Sequence, residues 1–189
     1  MDRAFGHARG SPVRARAHGS HAATPAAAAA YAAKLEQHEL TMPIAYAGGA
    51  MQTRELGRKT IATIVGQAEN GARQGLQVVV HNPSPLGREK TDEELAIQAE
   101  NLDALGALLR SRGIHLAIHS HAPEMKTQAR EWRHILRHTK PENVSICLDL
   151  HWVLRGGQDP YKLLAEAGQR VIDLHLRNSR GGVWTEDLA

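Results

Sequence analysis

Cysteine is nearly absent from the sequence, which contains Cys147 and no second thiol to pair with it. An internal disulfide is therefore excluded. Because Cys147 lies within an apolar stretch, we expect a buried, reduced thiol, as is typical of a cytosolic protein. Long apolar runs are also absent, since no segment approaches the roughly 18 to 20 residues that a membrane-spanning helix needs. The sequence thus predicts a globular domain with no membrane partner.

Acidic residues are scarce at the start of the chain. Residues 1–34 hold five Lys or Arg and a single acid, Asp2, which amounts to a charge of +4. The whole chain carries +3, so the remaining residues, with 18 basic and 19 acidic side chains, carry −1. The pI of about 9.2 therefore reflects the N-terminal segment. A near-neutral remainder argues against nucleic acid as a partner.

Residues 1–25 also lack hydrophobic periodicity and are rich in Ala, Arg, Gly and His. We expect this segment to be disordered and the folded domain to cover residues 26–189. An Arg-rich, acid-poor start is also typical of an organelle transit peptide, and a misplaced start codon or a broken gene would give a similar composition. No apolar segment follows the arginines, which argues against a secretory signal.

From residue 26 onward, short apolar strands alternate with helical segments. The predicted strands cover residues 42–47, 76–80, 114–118, 144–148 and 171–174. The predicted helices cover residues 26–40, 54–74, 123–138 and 160–168, together with a helix that follows the Thr91–Glu94 capping box and stops at Gly113. This alternation predicts an α/β fold with a parallel sheet covered by helices. Both a (β/α) barrel and a doubly wound sheet are consistent with it.

Polar side chains stand where successive strands end. Asn82 follows one strand, His119 and His121 the next, Asp149 the third and His175 the fourth. In a (β/α) barrel these C-terminal ends meet at one mouth, where catalytic groups gather. A doubly wound sheet more often carries a glycine-rich phosphate turn, and neither GxGxxG nor a Walker sequence is present. The sequence therefore favours the barrel.

Imidazole and carboxylate groups at three consecutive strand ends indicate a metal site. His119 and His121, at i and i+2, point to the same face of a strand. Mixed nitrogen and oxygen ligands suit Zn²⁺, Mn²⁺ or Co²⁺. One such histidine alone is more often a loop or core residue that contacts the backbone, so the interpretation depends on the series of three. The histidines without this support, which we predict to lie on the surface, are His81, His115, His134 and His138.

Three segments carry motifs in a fixed order: residues 117–121 (AIHSH) with Glu124, residues 148–160 with LDLHW and RGGQDP, and residues 170–178 (RVIDLHLRN). They resemble, in turn, the Y-H-N-H strand with its glutamate, the D-x-x-W and G-G-x-D-P segment, and the R-x-x-x-x-H-x-K-D strand of the sugar phosphate isomerase/epimerase family. The resemblance spans residues 35–189. It implies a TIM-type (β/α) barrel of the xylose isomerase-like superfamily.

The resemblance also implies a divalent metal, Mn, Zn, Co or Mg, at the barrel mouth. On the family's pattern its ligands are Asp149, His175 and His119, with His121 as the alternative to His119. The metal would polarise a carbonyl and stabilise an enediolate while Glu124 or His121 moves a proton. The partner implied is a small sugar or sugar phosphate.

Three residues are candidates for contact with that substrate. The resemblance places Arg177 near a sugar hydroxyl or phosphate, although a surface arginine explains it equally well. Trp152 is expected to line the sugar pocket, with a core tryptophan as the simpler alternative. Asn82, at the end of its own strand, is the third candidate.

The chain departs from the family's pattern in three respects. His119 stands where many members have a glutamate, and Asn178 replaces an aspartate. A barrel of this type usually needs about 250 residues, so we expect an incomplete barrel of about five to six βα units without strands seven and eight. An open sheet exposes two edges, which predicts association with another copy. The alternatives to an active isomerase or epimerase are an inactive fragment, a non-catalytic metal- or sugar-binding remnant and, with less support, an AP-endonuclease-like hydrolase.

Overall fold

The computed structural model describes residues 14–177, 179–180 and 183–184. Its main element is a six-stranded sheet in which every neighbouring pair is parallel. The strands of this sheet are β1 (Arg14–His18), β2 (Thr41–Gly49), β3 (Val78–Pro83), β4 (His115–His119), β5 (Val144–Asp149) and β6 (Val171–His175). Two short strands, β7 (Ser179–Arg180) and β8 (Val183–Trp184), form a separate antiparallel pair.

The order of the strands in the sheet is their order in the chain, from β1 to β6. A doubly wound sheet reverses its order at a switch point, whereas a barrel adds each strand beside the previous one. The predicted (β/α) barrel is therefore confirmed over the doubly wound alternative. Because β1 and β6 lie at the two edges and do not pair with each other, the sheet is open and forms an incomplete barrel.

Helices connect the strands, as the alternation predicts. They are α1 (Pro25–Glu36), α2 (Arg54–Ala72), α3 (Asp92–Arg110), α4 (Ala122–His138), α5 (Leu150–Arg155) and α6 (Pro160–Ala167). The capping box at the start of α3 is confirmed: Thr91 Oγ1 accepts from Glu94 N at 3.2 Å, and Glu94 Oε2 accepts from Thr91 N at 2.8 Å. None of the described helices combines the length and apolarity that crossing a bilayer requires.

The two faces of the sheet carry different side chains. The outer face packs against the helices and builds the main core, to which it contributes Ala45, Val79, Leu116, Ile118, Ile146 and Leu148. The inner face carries a smaller cluster of Val80, Ala117 and Cys147, packed by Ile44, Tyr46 and Val78. Cys147 is 1% exposed, so the predicted burial of the thiol is confirmed.

The open edge at β6 leaves apolar surface uncovered. Ile172 and Leu174, which alternate with the inward residues of β6, are 45% and 42% exposed, and Leu176 beyond them is 72% exposed. Such a contiguous strip is a surface that another segment or another chain usually covers. The predicted association between copies is consistent with this strip and stays a prediction.

The N-terminal boundary predicted from the sequence differs from the structure. Strand β1 and a 3₁₀ turn at Gly19–Ala22 both fall within residues 1–25, which we predicted to be disordered. Ala17 and Ala22 are buried, and Ala22 O accepts a hydrogen bond from Asn70 Nδ2 at 3.0 Å. Small side chains let the backbone pack closely here, and such residues give no hydrophobic signal in the sequence. Residues 1–13 lie outside the described residues.

Two further expectations are corrected. His81, predicted on the surface, is 0% exposed on the outer face of β3, where its Nδ1 donates to Ala47 O at 2.9 Å. The short helix α5 was not predicted, because residues 150–155 follow β5 directly without a turn signal. Asp149 serves as its N-cap, with Oδ1 accepting from Trp152 N at 3.2 Å.

The contact between α3 and the start of β5 can be tested at a glycine. A Cβ added to Gly106 would overlap the carbonyl oxygen of Asn143, whereas a Cβ added to Gly66, in α2, meets nothing within 4 Å. We expect Gly106→Ala to lower the free energy of unfolding by about 1–3 kcal/mol through overpacking. The control Gly66→Ala should raise it by up to about 1 kcal/mol because alanine favours helix. Urea midpoints measure both, and equal stabilities would contradict the packing at Gly106.

Burial of His81 predicts a pH dependence of stability. Burial lowers the pKa of His81 from 6.5 to about 4. The unfolded chain therefore binds more protons between these two values, so the stability from neutral His81 is complete above pH 6.5 and falls as the pH drops towards 4. Between pH 7 and pH 5 we expect the parent to lose about 2 kcal/mol more than His81→Gln. Urea unfolding at both pH values measures this, with the exposed-site variant His115→Gln as control; identical losses in parent and His81→Gln would refute it.

Candidate metal centre

Three neighbouring strands end with side chains that meet on the inner face of the sheet. His119 ends β4, Asp149 ends β5 and His175 ends β6, and Asp149 lies opposite His175 in the β5–β6 register. One ligand atom from each of the three lies within 4.8 Å of the others. We call this trio the mouth site. The parallel register of the strands brings together the three metal ligands that the resemblance implied.

One carboxylate oxygen lies at the centre of the mouth site. Asp149 Oδ2 is 3.2 Å from His119 Nε2, 3.3 Å from His175 Nδ1 and 2.8 Å from Arg177 Nε. The other oxygen, Oδ1, is held by the backbone of Trp152 at the start of α5. Both oxygens are thus oriented by groups from the adjacent strands and from the following helix.

The electrostatics favour an ionised carboxylate. Burial alone would raise the pKa of Asp149, but hydrogen bonds from His119, His175, the Trp152 amide and Arg177 outweigh it and hold the pKa well below its usual range. A buried carboxylate that keeps its charge is a strong anchor for a cation. Asp149 therefore provides the negative charge that a divalent ion needs.

The ring of His119 contacts Tyr46, and its backbone carbonyl contacts Asn82. Its ring Nδ1 lies 3.3 Å from the Tyr46 hydroxyl, and its carbonyl accepts from Asn82 Nδ2 at 3.0 Å. Burial is the main cause that lowers the pKa of His119. Burial also raises the pKa of Tyr46 to about 12, so the hydroxyl keeps its proton. A neutral imidazole with a fixed second nitrogen is the form in which histidine binds a metal.

His121, Trp152 and Arg177 form a wall beside the mouth site. The His121 ring lies 4.7 Å from the His119 ring and 5.1 Å from the Trp152 ring, both edge-on. Arg177 lies over the Trp152 ring at 5.6 Å. Burial, and next the neighbouring His119, lower the pKa of His121 to about 4. The wall therefore presents a neutral imidazole, an indole and a guanidinium to the mouth.

Glu124 lies behind His121 and outside the trio. Its Oε2 accepts from His121 N at 2.7 Å, so it caps the first turn of α4. Its Oε1 is buried and has no hydrogen-bond partner within the described part of the chain. Burial raises the pKa of this carboxyl. Glu124 also lines a cavity of about 410 Å³ next to Pro85–Lys90 and Arg130.

Sequence reasoning missed two features of this site. Tyr46 was read only as part of an apolar strand, although its inward position in β2 places its hydroxyl on His119. Arg177 was assigned to the substrate, whereas its Nε donates to Asp149. The alternation of inward and outward residues along β2 could have revealed Tyr46. The proposed roles of Asn82, His121, Glu124, Trp152 and Arg177 stay predictions.

The donors present fit a divalent cation. Two imidazole nitrogens and one ionised oxygen form the mixed set that Zn²⁺, Mn²⁺ and Co²⁺ accept. All three are held by surrounding groups, which reduces the cost of assembling a site. The Arg177 guanidinium would compete with a cation for Asp149, because its Nε contacts the same carboxylate oxygen that faces both imidazoles. A cation would have to share or displace that contact.

Curated proteins with similar sequences are inosose dehydratases. An inosose dehydratase of Bacillus cereus is 29% identical over 130 residues, which cover 67% of this chain and 41% of that protein. The inosose dehydratase of Geobacillus thermodenitrificans is 24% identical over 126 residues, with the same shares. The match therefore spans about two fifths of the length of these relatives.

Solved structures with the same fold include a sugar phosphate isomerase/epimerase from Parabacteroides distasonis. It has a TM-score of 0.73 and 15% identity, and the match covers 90% of this chain and 77% of that one. The IOLI protein, solved with a bound zinc atom, has a TM-score of 0.64 and 18% identity, covering 84% and 60%. At these identities the likeness establishes the fold alone.

The family profile described as xylose isomerase-like TIM barrel matches residues 11–184. This range contains all six strands of the open sheet and every residue of the mouth site. The resemblance seen in the three sequence motifs is therefore confirmed. The chain belongs to the xylose isomerase-like TIM barrel family.

Proposed function

We propose that this chain forms part of an enzyme that moves a proton next to the carbonyl of a sugar or polyol, assisted by a divalent ion at the mouth site. The observation that carries the proposal is the convergence of His119 and His175 on the ionised carboxylate of Asp149. The similarity to inosose dehydratases, named for an oxidised cyclic polyol, supports a carbonyl-bearing, hydroxyl-rich substrate. Isomerisation, epimerisation and dehydration all begin with removal of such a proton.

The mouth site would hold the ion through His119, Asp149 and His175. A divalent ion there supplies a Lewis acid that polarises the carbonyl oxygen and stabilises the charge that develops on it. Asp149 contributes the negative charge, and Tyr46 fixes the orientation of the His119 ring. His175 is 13% exposed in its side chain, so the ligand set borders the open mouth rather than the closed core.

In this proposal His121 transfers the proton, and Glu124 supports His121. The imidazole of His121 lies next to the His119 ring and is neutral at neutral pH because its pKa is about 4. Glu124 uses one oxygen to hold the backbone of His121 and keeps the other buried. Burial raises the pKa of Glu124 towards the range in which a carboxyl exchanges protons efficiently. His121 is thus the proton acceptor in this proposal, and Glu124 holds its backbone in place.

Substrate contacts are assigned to Trp152 and Arg177, with Asn82 in support. Trp152 Nε1 is a buried donor without a hydrogen-bond partner in the described residues, and a sugar hydroxyl would satisfy it. Arg177, which lies over the indole, is positioned to hydrogen-bond a hydroxyl or phosphate oxygen once it leaves Asp149. The Asn82 amide donates to the His119 carbonyl, so Asn82 also positions a ligand.

A second candidate is a non-catalytic protein that binds a metal or a sugar. The observation in its favour is the Arg177 guanidinium, which balances the Asp149 charge without any ion. The AP-endonuclease-like alternative has less support, because the chain beyond residue 34 is near neutral and a polyanion needs a basic surface. Metal content and proton exchange separate the first proposal from both.

Metal content tests the ligand assignment. We expect the gel-filtered parent to retain about one Mn, Zn or Co per chain, and Asp149→Ala and His175→Ala to bind at least about 10-fold more weakly because each removes a ligand. The control is His115→Ala, an exposed position on the same strand as His119. Plasma mass spectrometry after gel filtration gives the stoichiometry. With Mn²⁺, which a thiolate ligand disfavours, full metal content in either ligand variant would contradict the assignment of the mouth site.

Proton exchange tests the reaction. With Mn²⁺ or Zn²⁺ in D₂O, we expect the parent to introduce deuterium next to the carbonyl of an inosose or a ketose, as read by NMR. His121→Gln should lower that exchange rate about 10²- to 10⁴-fold with metal content unchanged, since it removes only the proton acceptor. His138→Gln, on the far end of α4, is the matched control. No exchange by a metal-loaded parent across the panel would favour the non-catalytic candidate.

A further inference from the structure

A second set of ligand-bearing side chains lies one layer below the mouth site. Cys147 lies opposite Asp173 in the β5–β6 register, two residues before Asp149 and His175 on their strands. Because alternate residues share a face, all four point to the interior of the barrel. One ligand atom each of Cys147, Asp173 and His175 lies within 4.8 Å of the others. We call this trio the lower set.

His175 links the two layers through its two ring nitrogens. Its Nδ1 faces Asp149 Oδ2 at 3.3 Å, and its Nε2 faces Asp173 Oδ2 at 3.9 Å. The thiol of Cys147 lies 3.3 Å from the same Asp173 oxygen. Asp173 Oδ2 therefore lies near both the sulfur of Cys147 and the His175 nitrogen that does not face the mouth.

We propose that Cys147, Asp173 and His175 form a second metal-binding position that selects thiophilic divalent ions such as Zn²⁺ and Cd²⁺. The reason is chemical: a thiolate ligand favours Zn²⁺ and Cd²⁺ over Mg²⁺ and Mn²⁺, which prefer oxygen. The position goes beyond the proposed function, because it assigns a role to Cys147 and Asp173, which the proton transfer does not use, and to the second ring nitrogen of His175.

The distances suit such an ion after a small adjustment. Zn–S bonds of about 2.3 Å and Zn–N or Zn–O bonds of about 2.0–2.2 Å place tetrahedral ligands roughly 3.3–3.7 Å apart. The sulfur–oxygen distance of 3.3 Å lies at the short end of this range, the nitrogen–oxygen distance of 3.9 Å exceeds it by a few tenths of an ångström, and all three ligand atoms lie within 4.8 Å of one another. His175 belongs to the edge strand β6, which pairs with β5 alone within the six-stranded sheet. A small movement of that strand is therefore the least costly in the sheet.

Charge also favours the lower set for a soft ion. With the thiol ionised by the metal, Cys147 and Asp173 supply two negative charges, whereas the mouth site supplies the single charge of Asp149. That single charge is shared with the Arg177 guanidinium at 2.8 Å. The lower set can neutralise a divalent ion fully, while the mouth site cannot do so alone.

An access route exists on the side of β6. Cys147 is 1% exposed, but the side chains of Asp173 and His175 are each 13% exposed. An ion can therefore reach the carboxylate and the imidazole first and then engage the sulfur. Water can complete the coordination from the same side. The simpler explanation of the cluster is a protonated thiol that only donates a hydrogen bond to Asp173.

Cobalt spectroscopy separates the two explanations. Because Cys147 is the single cysteine of the chain, any thiolate-to-cobalt charge-transfer band in the near ultraviolet must come from it. We expect Co²⁺ added to the metal-free full chain, with a phosphine reductant and without air, to give this band at one equivalent. Cys147→Ser should abolish the band, and Asp173→Asn should weaken the binding that produces it at least about 10-fold.

The variant Asp149→Asn separates cobalt binding at the lower set from binding at the mouth site, on which the proposed function depends. It removes the charge of the mouth site but leaves the lower set intact, so the charge-transfer band should persist. A band lost in Asp149→Asn as completely as in Asp173→Asn would overturn the proposal, since the ion would then belong to the mouth site. Bound Co²⁺ without the band in the parent would overturn it too, even if proton exchange is observed.

A measurement on the unmodified thiol guards against misfolded variants. Iodoacetamide alkylation of Cys147 in the parent, followed by mass spectrometry, should slow at least about 10-fold when Zn²⁺ is present, because a coordinated thiolate is not free to react. Mg²⁺ should give no protection, and Zn²⁺ should protect Asp173→Asn far less. Equal alkylation rates with and without Zn²⁺ would refute the lower set.

Discussion

The mouth site depends on one interaction, the convergence of several donors on a single oxygen of Asp149. A buried carboxylate is costly in itself, and burial alone would raise the pKa of Asp149. Two imidazoles and a guanidinium reverse that tendency and keep the charge. The backbone amide of Trp152 fixes the second oxygen, so the start of α5 and the centre of the site are the same structural feature. Removal of the Asp149 side chain therefore affects both the site and the start of the helix that follows.

The parallel sheet makes this convergence a consequence of register rather than of flexible loops. Because β4, β5 and β6 pair in sequence order, inward residues from the three strand ends come close together. Asp149 pairs with His175, whereas His119 pairs with Cys147, and the ring of His119 reaches Asp149 Oδ2 at 3.2 Å. The same register also places Cys147 and Asp173 one layer deeper. A site built on strands is positioned more accurately than one built on loops.

The sequence predicted much of this fold, because strand–helix alternation and polar strand ends are local signals. The proximity of His119, Asp149 and His175 followed from residue types at strand ends combined with three motifs, while their role as metal ligands stays a prediction. The features that the sequence did not predict were missed for physical reasons. Strand β1 was hidden because Ala17 and Ala22 pack through backbone proximity, and His81 is buried through one hydrogen bond to Ala47 O. The contact between Arg177 and Asp149 needs the three-dimensional register of β6. Patterns in sequence carry no information on such partners.

The replacement of a carboxylate by His119 has an electrostatic consequence for the whole site. An ion held by two neutral imidazoles and one carboxylate keeps a net positive charge, whereas a second carboxylate would cancel it. A positive centre polarises a carbonyl more strongly but binds its ion less tightly, and Arg177 adds to both effects. If the proposed site holds an ion, its retention would have to come from rigid placement of the ligands. Tyr46 and Asn82 provide that rigidity by holding the ring and the carbonyl of His119. Whether the three ligands can hold an ion therefore depends on the residues that fix their positions.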